Sequence, residues 1–272
     1  MRLALTIITV CFKNPDELHT TLKSLDGLRP ELCEVVVIDG SPDDSCVGVV
    51  REFAWVRYFH GPDNGQYDGM NKGIILANGD TLLFINSGDL LHNHSLLEQA
   101  LIEHRDRLGD MLLFGDSIRI LAGQSILVHA PDITPETQRL AKFPSHQSIL
   151  IPRNYHRNNL FDDKMYVAAD SKMLRKAFEE LPRCRLNFAV GEFKYGGACT
   201  APGTWKSVWR NYGELREVCH FTAWEKLMTA FMLVRRKIFF GAFGAEALQR
   251  AQLNRIRRRH LLPREAFAEA VR

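Results

Sequence analysis

The chain has no Cys-x-x-Cys pair, no paired-histidine spacing, and no apolar run of the roughly 18 to 20 residues needed to span a bilayer. Its six cysteines, at positions 11, 33, 46, 184, 199 and 219, follow no zinc-ligand spacing and give no disulfide framework. They read as reduced, intracellular thiols. Excess charge is missing too. A net charge of +3 is too small to imply nucleic acid, although basic residues crowd the C-terminal end. The N-terminal stretch Leu3-Ala4-Leu5-Thr6-Ile7-Ile8-Thr9-Val10 is short and β-branched and lacks a small-residue cleavage site. It fits a buried first strand better than a signal peptide. Together these absences predict a protein of the cytosol, or of the cytoplasmic face of a membrane.

What is present is an ordinary globular composition, 46% hydrophobic and 25% charged over 272 residues. That length buries a sizeable core, as one domain or one domain with an appendage. The first 115 residues alternate strand and helix. A strand ending near Thr9 precedes a helix started by Asn14 as cap and Pro15 at the first helical position. Glu34 to Ile38 forms a second buried strand, followed by the acidic, turn-rich loop Asp39 to Ser45, a helix from Val47 to Phe53 and a strand from Val56 to Phe59. Further strands are expected at Thr81 to Ile85 and Met111 to Phe114, around a helix from about Ser95 to Arg105. Continuous apolar strands separated by helices imply an α/β architecture with a mostly parallel sheet covered on both faces.

Beyond Asp116 the pattern changes. Ser117 to Leu121 and Gln124 to His129 flank Ala122-Gly123 as a hairpin. A strand near Ser148 to Ile151, a helix from Ser171 to Glu180, a strand Leu186 to Val190 and a Gly196-Gly197 turn precede a helical, basic tail.

The most informative stretch runs from Asp63-Asn64-Gly65 through Asp68-Gly69-Met70-Asn71-Lys72-Gly73 to Gly79-Asp80 and Asn86-Ser87-Gly88-Asp89. It reads as a glycine-rich loop, a short helix, an apolar strand, and a carboxylate at that strand's C-terminal end. In an open α/β sheet that end is where ligands bind. An acid there, beside Asn, Ser and Gly, suits a hard divalent cation carrying phosphate oxygens.

With Thr9-Val10-Cys11-Phe12-Lys13-Asn14, Val37-Ile38-Asp39-Gly40-Ser41, Ala77-Asn78-Gly79-Asp80, Ser145-His146-Gln147-Ser148 and Ala168-Ala169-Asp170, these residues resemble the family 2 glycosyltransferases of GT-A fold. The likeness covers roughly residues 3 to 200 and is nearest to enzymes of bacterial surface-polysaccharide assembly. It implies a Rossmann-like catalytic domain over residues 1–220 and a C-terminal helical extension over 221–272. It implies an inverting transfer of a hexosyl or N-acetylhexosaminyl group from a nucleotide sugar, in this family usually a UDP-sugar, to a hydroxyl of a saccharide acceptor, carried in such pathways on a polyprenyl diphosphate.

The resemblance also implies roles. Thr9 and Asp39 hold the base, a carboxylate being able to accept the imide N–H of uracil; Asp39 alternatively caps the turn that follows it. Asp89 is the metal acid for Mn²⁺ or Mg²⁺, although Asn86 and Gly88 replace two acids of the family's usual motif. Asp68, Asn71, Lys72 and Ser87 contact the nucleotide sugar; Met70 stands where the family has an Arg, and Lys72 either supplies that charge or is a solvated helix residue. Asp68 alternatively complements the helix dipole. Asp170 is the general base that takes the acceptor hydroxyl's proton, or else a helix N-cap. His146 and Gln147 are donor or acceptor contacts, against a structural role for the histidine.

The tail sets Phe221, Trp224, Leu227, Met228, Phe231, Met232, Leu233, Val234, Ile238, Phe239, Phe240 and Phe243 around Arg235-Arg236-Lys237, with Arg250, Arg255, Arg257, Arg258 and Arg259 beyond. That is the composition of a helix lying in a membrane interface, drawn to anionic lipid. The alternative is a helix packed on the catalytic domain or a second subunit. Two other functions would make different demands on the sequence. A sugar-nucleotide nucleotidyltransferase needs glycine and basic residues directly after strand one, where Cys11-Phe12-Lys13-Asn14-Pro15 stands. A non-catalytic binding module has no need of Asp39, Asp89 and Asp170 together.

Overall fold

The structure, a computed structural model, describes residues 3–194 and 204–260. The expected Gly196-Gly197 turn and Cys199 lie outside the described residues, as do the side chains of Arg255, Arg257, Arg258 and Arg259.

In chain order the elements are β1 (Leu5–Cys11), α1 (Pro15–Leu25), β2 (Cys33–Asp39), α2 (Val47–Val50), β3 (Val56–His60), α3 (Gln66–Leu76), β4 (Thr81–Phe84), β5 (Leu90–Leu91) and α4 (His94–Glu103). Then come β6 (Leu112–Leu121), β7 (Gln124–Val128), α5 (Pro135–Arg139), β8 (Ile149–Pro152), α6 (Arg153–Asn158), α7 (Ala169–Glu180), β9 (Arg183–Lys194), α8 (Trp205–Val218) and α9 (Ala223–His260). The strands join in the order β3-β2-β1-β4-β8-β6-β9-β5, with β7 paired to β6. The first four are mutually parallel, β8 enters antiparallel, and β6 and β9 run parallel to each other.

β1 is buried along its whole length, so its alternating side chains divide between two cores. Leu5 and Ile7 pack with Leu18, Leu22 and Leu25 of α1 and with α4, while Ile8 and Val10 pack with Tyr67, Met70 and Ile74 of α3 and with α7. α1 starts at Pro15 with Asp16 and Glu17 in its first turn and Lys23 in its last, charges that complement the helix dipole. α3 lies directly on β1 because Gly69 and Gly73 have no Cβ. One added there would come within 2.8 Å of Val10 Cγ1 and 2.4 Å of Ile8 Cγ2.

Three expectations change in the structure. Met111 to Phe114 and the hairpin's first strand are one strand, β6, interrupted by register shifts around Asp116. Gly115 sits in that irregularity, where a Cβ would lie 2.6 Å from the Phe188 carbonyl. α7 begins two residues before the expected Ser171, with Ala168 at its cap, so Asp170 lies in the first turn rather than at the N-cap. The strand around Leu186 to Val190 extends to Arg183–Lys194.

The expected division at residue 220 falls between α8 and α9. α9 is tied to the rest of the fold at its start: Arg139 donates to both carboxylate oxygens of Glu225, at 2.7 and 2.8 Å. It bends at Gly244 (φ 80°), a left-handed backbone that favours glycine. Past the bend, Gln249 accepts from the Ala122 N–H at the β6–β7 turn and Leu253 is buried. Among the described residues no helix is long and apolar enough to cross a membrane.

Candidate active site

Two cavities adjoin at the C-terminal ends of β1 and β4, sharing Gln66, Asn86 and Ser87 in their walls. One, of about 470 Å³, is lined by Val10, Cys11, Phe12, Asn14, Asp63 and Gly65. The other, of about 440 Å³, is walled by Asp89, His146, Gln147 and Asp170, together with Arg119, Phe143, Phe193 and Lys194. The arrangement matches the ligand end of an open α/β sheet.

Asp89 follows β4 on a tight turn. Gly88 supplies the positive φ of 95°, and the Asp89 N–H donates to the Asn86 carbonyl at 2.8 Å. The Thr21 hydroxyl of α1 donates to the Asp89 carbonyl at 2.8 Å, which fixes the turn to the helix layer. Asp89 Oδ2 accepts from Gln147 Nε2 at 2.9 Å. Burial pushes the Asp89 carboxyl above its ordinary value, and the Gln147 amide, the His146 charge and the Asn86 backbone only partly offset it. A buried carboxylate whose bonded side-chain partner is a neutral amide is electrostatically suited to a cation. Ser87, whose buried hydroxyl has no hydrogen-bond partner among the described residues, stands two positions away. These oxygen donors fit a hard divalent ion that leans on substrate phosphates, and Asp89 would hold it.

Asp170 is reached from the other side, through α7. Its Oδ1 accepts from the Ser171 N–H at 2.6 Å and from the Tyr67 hydroxyl at 3.4 Å. Its Oδ2 lies 3.3 Å from His146 Nδ1. Burial lowers the His146 pKa, but the bond to Asp170 and the charges of Asp170 and Asp89 outweigh it and raise the value above the ordinary one. The 3.3 Å contact with Asp170 thus favours the protonated form of the His146 ring. Oδ1 takes the bonds from Ser171 and Tyr67 and Oδ2 only the contact with His146, so Oδ2 keeps the greater accepting capacity.

Of the expected site residues, Ser87, Asp89, His146, Gln147 and Asp170 share one cavity wall. The others line neither cavity, and each is engaged inside the protein. Thr9 is fully buried and donates its hydroxyl to the Ile85 carbonyl at 2.7 Å. Asp39, also fully buried, accepts from the Ser41 N–H at 2.9 Å and the Tyr58 hydroxyl at 2.7 Å. Asn71 is a double clamp on the Phe161 backbone, accepting at 2.9 Å and donating at 3.0 Å. Lys72 donates to Asp68 at 2.9 Å and to the Pro62 carbonyl at 2.7 Å, and the ammonium holds the Asp68 carboxyl below its ordinary value.

Some contacts of the site leave no local signal in the sequence. Tyr67 reads as an apolar helix residue, yet its hydroxyl meets Asp170. Asp63 packs its carboxylate where a Cβ on Gly40 would stand, 2.0 Å away, so the glycine after β2 is a condition of that placement. Arg119, Phe193 and Lys194 come from β6 and β9, a pairing the sequence does not show.

The profile of the family described as glycosyl transferase family 2 matches residues 6–181. An uncharacterised glycosyltransferase of Mycobacterium tuberculosis strain H37Rv is 36% identical over 98 residues, which is 35% of this chain and 37% of that protein. A PGL/p-HBAD biosynthesis glycosyltransferase of Mycobacterium bovis strain BCG is 29% identical over 102 residues, 35% of this chain and 40% of that one. The matches thus span well under half the length of these curated relatives. Among solved structures, S. aureus TarS in complex with UDP-GlcNAc superposes with a TM-score of 0.64 at 17% identity, covering 87% of this chain and 73% of that one. A mannosyltransferase of Pyrobaculum calidifontis in complex with GDP-Man and Mn²⁺ does so with a TM-score of 0.57 at 14% identity, over 99% and 79% of the two chains. The fold is therefore of the GT-A type, and the chain belongs to glycosyl transferase family 2.

Proposed function

We propose that this chain is an inverting glycosyltransferase that moves a hexosyl or N-acetylhexosaminyl group from a UDP-sugar to a hydroxyl of a saccharide acceptor in surface-polysaccharide assembly. The observation that carries this reading is the meeting of Asp89 and Asp170 on one cavity wall. Inverting transfer needs two negative groups with different tasks. Asp170 Oδ2 takes the proton of the attacking hydroxyl, while the Ser171 and Tyr67 bonds keep the carboxylate aimed. Asp89 would hold a divalent cation, Mn²⁺ or Mg²⁺, which when bound supplies positive charge to the departing diphosphate. The cavity past Asn86 and Ser87, toward Asp63 and Cys11, takes the nucleotide, with Asp39 behind it at the end of β2. The side toward Arg119, Phe143 and Lys194 takes the acceptor.

A screen of UDP- and GDP-sugars against thermal unfolding in Mn²⁺ tests the reading. A donor at a hundredfold excess over its Kd stabilises the fold by roughly 2.7 kcal/mol. One UDP-sugar raising the melting temperature supports the proposal. No response to any nucleotide sugar, with or without Mn²⁺, sinks it.

We further propose that residues 221–272 bring the enzyme to an anionic lipid surface, where a polyprenyl-linked acceptor resides. Trp224, Leu227, Phe231 and Ile238 are 67%, 57%, 57% and 59% exposed. Spaced by three, four and seven residues, they share one face of α9 next to Arg235-Arg236-Lys237. Trp205 and Trp209 of the adjoining α8 are exposed as well. Co-sedimentation with phosphatidylglycerol vesicles, lost in Trp224→Asp/Phe231→Asp and with phosphatidylcholine alone, is the expected result. Equal recovery of both proteins with the anionic vesicles overturns it.

A further inference from the structure

Cys11 and Asp39 are register partners at the C-terminal ends of the neighbouring parallel strands β1 and β2. The loop that leaves Asp39 returns Cys46 to the same spot, at the start of α2. The two sulfurs and a carboxylate oxygen of Asp39 all lie within 4.8 Å of one another, and all three side chains are buried. We propose that Cys11, Asp39 and Cys46 form a site for a thiophilic divalent cation of the Zn²⁺ class, and that its occupation opposes nucleotide binding.

The geometry is close to what such an ion requires. Bond lengths of about 2.3 Å to sulfur and about 2.0 to 2.2 Å to oxygen put tetrahedral ligand atoms about 3.5 to 3.8 Å apart. The spread of up to 4.8 Å between the present atoms exceeds those separations by roughly an ångström. Two thiolates and a carboxylate select Zn²⁺, Cd²⁺ or Co²⁺ over Mg²⁺ and Mn²⁺, which prefer oxygen alone. The site therefore differs in kind from the sulfur-free surroundings of Asp89. Of the three, Cys11 lines the cavity of about 470 Å³. Ser41, whose hydroxyl lies 3.9 Å from Cys46 Sγ, borders the same cluster.

The consequence for the donor rests on the reading of Asp39 as the acid behind the nucleotide base. A cation bound there occupies the carboxylate and pulls on the loop from Gly40 to Ser45, which also receives the His60 ring at the Ser41 carbonyl.

The test uses the full-length, reduced, metal-free protein. Titration with Co²⁺ is expected to give thiolate-to-cobalt charge-transfer absorption that saturates at one equivalent. Zn²⁺ should abolish it, and Mn²⁺ in large excess should not. Cys11→Val and Cys46→Val, both close in volume and apolar, should each lose the band and weaken Zn²⁺ binding by at least ~10-fold; having both keeps the test intact if one fails to fold. One equivalent of Zn²⁺ should weaken UDP binding at least ~10-fold in the parent protein and not in Cys46→Val, by calorimetry in Mn²⁺. A missing band, or a band that survives both substitutions, overturns the site and leaves the cysteines as small apolar packing residues. A normal band with unchanged UDP affinity overturns the opposition to nucleotide. If UDP does not bind at all, the donor reading fails while the cobalt spectrum still decides the metal site.

Discussion

Gln147 donates its side-chain amide to Asp89 at 2.9 Å. Its chain neighbour His146 sets Nδ1 3.3 Å from Asp170. Two consecutive residues of one short turn thus hold two acids delivered by distant parts of the chain, Asp89 after β4 and Asp170 from α7. The turn is itself buried at Gln147 and Ser148, so the separation of the two carboxylates is set by core packing rather than by mobile loops. In the proposed reaction the two acids act on opposite faces of one anomeric carbon, which requires such a fixed spacing.

Asp170→Asn removes the proton-accepting oxygen and keeps the shape. Turnover should fall by roughly 10²- to 10⁴-fold, the usual contribution of a positioned base. Donor affinity by calorimetry should change little, because the proposed role sets Asp170 against the acceptor hydroxyl rather than the nucleotide. A variant with normal turnover removes Asp170 from this role.

Asp89→Ala removes the carboxylate that burial makes ready for a cation. The parent protein should bind UDP more tightly with Mn²⁺ than with chelator, and the variant should bind equally in both. Calorimetry decides, and equal affinities in the parent already refute the assignment.

The turn carrying His146 and Gln147 also explains a glycine. A Cβ on Gly191 of β9 would stand 2.4 Å from the Gln147 carbonyl and 2.9 Å from its Cβ. The first contact is with backbone, so it cannot be relieved by a rotamer change. Gly191→Ala should destabilise the fold by about 1 to 3 kcal/mol, the ordinary penalty of overpacking. It should also lower turnover and Mn²⁺-dependent UDP affinity together, since both acids are held by that turn. Unaltered kinetics alongside a lowered melting temperature separates the packing role from the positioning role and sinks the latter.

The N-terminal half of this architecture is legible residue by residue. β-branched runs such as Glu34 to Ile38, and Asn14-Pro15 before α1, state their structure locally because burial on both faces and a helix start each leave a short-range signal. The carboxylate at the end of β4 was legible for the same reason. The C-terminal half was harder. β6 hides its continuity behind the Gly115 irregularity, and β5 is a two-residue strand paired with distant β9, a contact that no local pattern encodes. Asn71 and Lys72 occur in the expected motif, but their partners, the Phe161 backbone and Asp68, are visible only once the chain is folded. The same holds for Tyr67 beside Asp170.

His156 predicts an acid-sensitive core on the α3 side of the sheet. It is fully buried, its ring centroid 5.4 Å from that of Phe84 and 4.8 Å from that of Phe161. Nδ1 lies 3.2 Å from the Asn159 carbonyl, which assigns the proton of the neutral ring to Nδ1, and Nε2 has no partner among the described residues. Burial lowers its pKa from 6.5 to about 4. The sign follows from proton binding: between these values the unfolded chain takes up a proton that the folded chain refuses, so stability present above pH 6.5 is lost as pH falls toward 4. Linkage puts the loss at roughly 3 kcal/mol over that interval. His156→Phe keeps a ring among aromatic neighbours and removes the titration. At pH 7 it should be less stable by about 1 kcal/mol through the lost Nδ1–H bond, and its stability should fall less steeply on acidification. Urea midpoints at pH 7, 5.5 and 4.5 measure both slopes, and parallel profiles for the two proteins would show that His156 is not the source of the acid sensitivity.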